Sequence, residues 1–136
     1  MSSPEDILTE GCAILESALL QHGFEYVPGV SAKGSGGRFA RGAFVRGNRR
    51  LDLHVRLALG IVEYHVSEQS LSHERYMLAV TGRRGAYPGY SSDPIDGFRH
   101  LVTDLEAHGQ VFLSGTDEQF ADVCERAKSA VGRNET

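Results

Sequence analysis

Between Phe39 and Val66 apolar and polar residues alternate with the period of a β-strand, whereas most of the remaining chain spaces its apolar residues as helices do. Leu51, Leu53, Val55 and Leu57 alternate with Asp52, His54 and Arg56, the pattern of a strand with one buried and one wet face. A β-prone run from Phe39 to Arg46 precedes it across Gly47-Asn48, a pair suited to a tight hairpin turn. After Ala58-Leu59-Gly60, Val62, Tyr64 and Val66 take one side and Ile61, Glu63 and His65 the other. Two successive hairpins are predicted.

Register follows from keeping the apolar residues on one face, because a slip of one residue would turn them towards water. A turn at Gly47-Asn48 sets Leu51 against Phe44, Leu53 against Gly42 and Val55 against Ala40, so Arg41 faces His54 and Ala43 faces Asp52. A two-residue turn at Ala58-Leu59 sets Val55 against Val62 and Leu53 against Tyr64, so His54 faces Glu63 and Asp52 faces His65. The expected polar face therefore carries Arg41, Asp52, His54, Glu63 and His65. This row reads either as a solvated sheet face whose opposite charges meet across strands, or as a binding surface in which each histidine opposite a carboxylate is held in one tautomer with a raised pKa, as a proton-transfer or pH-sensing site requires.

Around this meander the helices announce their ends. Ser3, Pro4 and Asp6 form a capping box for a helix reaching about His22, with Gly23 just past it. Phe24 to Val27 reads as a short strand stopped by Pro28-Gly29, followed by a flexible glycine-rich segment to Gly37. Ser72 caps a helix that ends at Gly82, with His73 expected as a surface residue at its start. Asp93, Pro94 and Asp96 open a long helix with an inner stripe of Ile95, Phe98, Leu101, Val102 and Leu105. Val111 to Leu113 reads as an apolar linker, Thr116 with Gln119 opens a last helix to about Val131, and residues 132–136 are expected to fray.

Strands cluster instead of alternating with helices. The fold class is α+β: an antiparallel meander of about four strands with an N-terminal helix and three C-terminal helices on one face. The 136 residues suit a single domain, 1–136.

The net charge of −4 argues against nucleic acid as a partner. The first hairpin departs from that average, with Arg38, Arg41, Arg46, Arg49, Arg50 and Arg56. Cys12 and Cys124 fall at apolar helical positions and read as free, buried thiols. No signal peptide and no membrane-spanning window is evident, so a cytoplasmic location is expected.

Chemical signatures are missing. No serine elbow, zinc spacing or phosphate loop is complete, so no catalytic residue, metal or cofactor is predicted. The loop from Arg83 to Ser92 holds Tyr87 and Tyr90 beside arginines, which either anchor a partner or cover the core edge. Function is thus expected to be non-catalytic protein binding through the polar sheet face and the tyrosine loop, with self-association as a homodimer the related case. In architecture and charge alone, such a domain resembles the immunity proteins that neutralise partner toxins. The alternative expectation is a small-ligand site or enzyme in which His54 or His65, beside Asp52 or Glu63, serves as general base.

Overall fold

The computed structural model describes residues 3–34, 37–87 and 93–135. It shows an α+β protein: a five-stranded antiparallel sheet in the order β1-β2-β3-β4-β5, with helices against one face. The strands are β1 (Glu25–Gly34), β2 (Gly37–Arg46), β3 (Arg49–Val55), β4 (Leu59–Val66) and β5 (Gln69–Ser72). The helices are α1 (Pro4–Leu19), α2 (His73–Thr81), α3 (Asp96–His108), α4 (Gln110–Leu113) and α5 (Asp117–Glu135).

Helix ends follow their capping chemistry. Ser3 Oγ accepts the Asp6 N–H at 3.1 Å while Asp6 reaches back to the Ser3 N–H, and Thr116 and Gln119 exchange the same pair of bonds. After α1 a single 3₁₀ turn, Leu20–His22, leads to Gly23, and α2 ends at Gly82; both glycines hold φ near +80° (84° and 79°), which an L side chain resists. Asp93 caps the turn before α3 by accepting the Ile95 N–H at 2.9 Å. Asp96 does not close a box there; it pairs with Arg99 and His100 instead.

Three expectations about extent change. The short strand ending at Val27 is a ten-residue strand that continues past Pro28 through a bulge between Pro28 and Ser31. Gly29 permits this, because a Cβ there would come 2.9 Å from the Arg41 carbonyl oxygen of the neighbouring strand. Gly29 thus serves the close approach of two backbones, not a loop. Residues 111–113 form the helical turn α4 instead of a linker, and α5 runs to Glu135 instead of ending near Val131.

Between sheet and helices lies one core containing Leu15, Phe24, Phe44, Leu51, Leu53, Tyr64, Tyr76, Phe98, Phe112 and Phe120. Helix α1 lies over β2 and β3 and packs on α3; α2 packs on α5. At the α1–α3 crossing Gly11 accepts the Phe98 ring where a Cβ would overlap it. Truncating a fully buried leucine such as Leu53 to alanine is worth about 2–5 kcal/mol, which is why inward alternation dominates strand register. Helices therefore shut one sheet face and leave the other open.

Candidate functional site

The open face is built from the odd residues of β2 and the even residues of β3, because successive side chains point to opposite sides. Between these strands the register is the expected one: Phe44 with Leu51, Gly42 with Leu53, Ala40 with Val55, and hence Arg41 with His54 and Ala43 with Asp52. Between β3 and β4 it is not. Leu53 faces Val62 and Leu51 faces Tyr64, so Asp52 faces Glu63, His54 faces Ile61 and Arg50 faces His65. The expected pairs His54–Glu63 and Asp52–His65 are displaced by two residues. The cause is the connection: Leu59, expected in the turn, is 5 % exposed and pairs with Val55 through a bulge, while Leu57, expected inward, is 90 % exposed. Facing is preserved, but partners change.

This shift separates the two histidines. His65 Nε2 lies 2.9 Å from Asp52 Oδ2 and 3.0 Å from Glu63 Oε1. Neither contact has hydrogen-bonding angles at the ring nitrogen, so the ring simply lies between two facing carboxylates. Arg50 also pairs with Asp52. Among the described residues His54 has no carboxylate within ion-pair distance. It lies between Arg41 and Arg56 against the Phe39 ring, at 5.2 Å between centroids, and burial together with those two cations lowers its pKa instead of raising it.

Arg41, Asp52, His54 and Glu63 line a groove of about 340 Å³. Its rim includes Val27, Val30 and Ile61, which are 48, 62 and 51 % exposed. His65 lies outside that groove, in a shallower concavity with Asn48 and Ser67; Arg50 and Asp52 belong to both. The predicted polar row is therefore two neighbouring sites. Phe39, Arg56, Val27, Val30 and Ile61 were missed, although Phe39 and Arg56 stand two residues from Arg41 and His54 and so share their face.

On the closed side lies a buried polar group around His73. His73, expected at the surface, is 2 % exposed, and Asp104 on α3 is 4 % exposed. His73 Nε2 lies 2.8 Å from Asp104 Oδ2, and its Nδ1 lies 2.6 Å from the Tyr64 hydroxyl. An ionised Asp104 only accepts, so Nε2 carries a proton and donates, and in the neutral ring Nδ1 accepts from Tyr64. Asp104 also accepts the Ala86 N–H at 2.7 Å and the Tyr87 N–H at 3.1 Å. Burial alone would raise the Asp104 pKa, but the bonds from His73, Ala86 and Tyr87 outweigh it and hold the carboxyl below its ordinary value.

Tyr87 belongs to this closed side. It is 6 % exposed, its hydroxyl donates to Leu59 O at 3.1 Å, and burial pushes its pKa up to about 12. Its ring is committed to covering the core edge. Tyr90 lies outside the described residues. Among the described residues no group of three or more histidine, cysteine, aspartate and glutamate side chains is placed to hold a metal ion, and no helix is long and apolar enough to cross a membrane.

Comparisons of the chain with protein-family models, with curated proteins and with solved structures find no match.

Proposed function

We propose that the chain is a non-catalytic protein-binding module, of the immunity or antitoxin kind in which a small α+β domain neutralises a partner protein, and that the open sheet face is its binding surface. The observation that carries this is the groove of about 340 Å³ on that face, where exposed Val27, Val30 and Ile61 stand beside Arg41. Three exposed aliphatic groups clustered beside an arginine support a recognition surface over an ordinary solvated sheet face. Tyr87, being buried, is left out of it, and Asp52, Glu63 and His65 form its acidic flank.

The test is affinity capture from the source cell with native mass determination, run on the wild type and on Ile61→Asp and Arg41→Glu. A foreign protein in fixed ratio, lost from both variants while their melting temperatures stay put, is the expected result. Recovery of a dimer of this chain alone would replace the hetero-partner with self-association. A second reading, a small-ligand or general-base site, is favoured by His65 between Asp52 and Glu63. It requires an activity or ligand that His65→Gln abolishes.

A further inference from the structure

The arginines of the first hairpin are not equivalent. Arg38 pairs with Glu5 at 2.5 Å, and Arg46 donates to the carbonyls of His22 and Leu113 at 2.6 and 2.7 Å. Arg49 is buried and donates to Val111 O, Phe112 O and Gly115 O besides pairing with Asp117, and Arg50 pairs with Asp52. Arg41 and Arg56 differ. Among the described residues neither has a carboxylate within ion-pair distance; both guanidinium groups lie over the same Phe39 ring, 5.5 and 5.7 Å from its centroid.

Two like charges at one ring repel each other, and an anion between them offsets that repulsion. The acidic groups Asp52 and Glu63 on this face point elsewhere, since Asp52 contacts Arg50 and His65, and Glu63 contacts His65. Arg56 Nη1 and His54 Nε2 also lack a hydrogen-bond partner but are closed to solvent, so an arriving acceptor meets the other guanidinium N–H groups. The face thus presents an unmatched cationic corner, donor-rich and acceptor-poor, beside an aliphatic strip.

We infer that this corner receives a carboxylate from an acidic segment of the partner protein, between Arg41 and Arg56, while an aliphatic side chain of the same segment rests on Val27, Val30 and Ile61. The inference rests on the protein-binding reading. Arginine suits the task because its planar fork matches a carboxylate in two parallel bonds. The Phe39 ring beneath holds both forks in place.

The experiment titrates the whole chain into a fluorescein-labelled peptide of alternating leucine and glutamate, and into the same peptide with glutamine for glutamate, by fluorescence anisotropy. Saturable binding of the acidic peptide is expected, with the glutamine peptide weaker by about tenfold or more. Arg41→Gln and Arg56→Gln should each lose most of that preference at an unchanged melting temperature, and Arg99→Gln, on α3, should keep it. Equal binding of both peptides, no binding, or retention by the Arg41 and Arg56 variants would overturn the inference. So would 4-methylpentanoate binding as tightly as the peptide, which would assign the corner to a small acid. If Arg41→Gln and Arg56→Gln still capture the native partner while Ile61→Asp does not, protein binding stands and the carboxylate assignment alone falls.

Discussion

Two histidine–carboxylate contacts occupy opposite faces of the same sheet, and they do opposite work. His73 and Asp104, 2 and 4 % exposed, sit in a fully bonded network with Tyr64, Ala86 and Tyr87. His65 and Asp52, with side chains 31 and 33 % exposed, touch without hydrogen-bonding angles and share Asp52 with Arg50. In the first pair each group depends on its partner, since a buried charge or donor left alone is costly. In the second, both side chains are about a third exposed, so less is lost when one of them is removed. Contact distance alone, 2.8 against 2.9 Å, would have ranked them equal; burial and the count of satisfied donors decide.

The largest loss of stability is expected from Asp104→Ala. It strands the Ala86 and Tyr87 N–H groups and the His73 ring in a buried site, and should cost about 3–5 kcal/mol in urea unfolding. Arg49→Met comes next, because this buried guanidinium satisfies carbonyls of α4 and the turn before α5; about 2–3 kcal/mol is expected from the same titration.

Acid sharpens the contrast. The Asp104 pKa is held below its unfolded value, so its contribution is complete above that value and drains as pH falls below about 4. The stability gap between wild type and Asp104→Asn should therefore narrow on going from about pH 7 to about pH 3. A gap constant across that window would show that the aspartate charge is not what the network uses. Smallest of all is His65→Gln, expected to stay within about 0.5 kcal/mol of wild type.

Local chemistry was legible wherever one residue sufficed to specify it. The Ser3 and Thr116 capping boxes, the glycines after α1 and α2, and the β2–β3 register are each set by neighbours in sequence. The β3–β4 register was not, because Leu57 and Leu59 are equally good core residues and only tertiary packing selects Leu59. That choice moved Glu63 from His54 to Asp52 and so redrew the candidate site.

His73 was misplaced for a related reason. At the first position of α2 a histidine reads as exposed, and its burial depends on Tyr64 and on Asp104, which lies 31 residues away. A signal existed: Asp104 stands between Leu101 and Leu105 on the inner stripe of α3, and an aspartate there needs buried donors. β5 escaped because a four-residue strand, Gln69–Ser72, has little room to show a period.

The central claim is that the open face binds and the closed face holds the fold. It is tested most directly by capturing the native partner with wild type and with the double variant Arg41→Glu/Ile61→Asp, and recording both melting temperatures. The variant should melt with the wild type and recover no partner. A variant that recovers the partner undiminished, or one that unfolds, would contradict it, placing binding elsewhere or showing that these exposed residues belong to the fold.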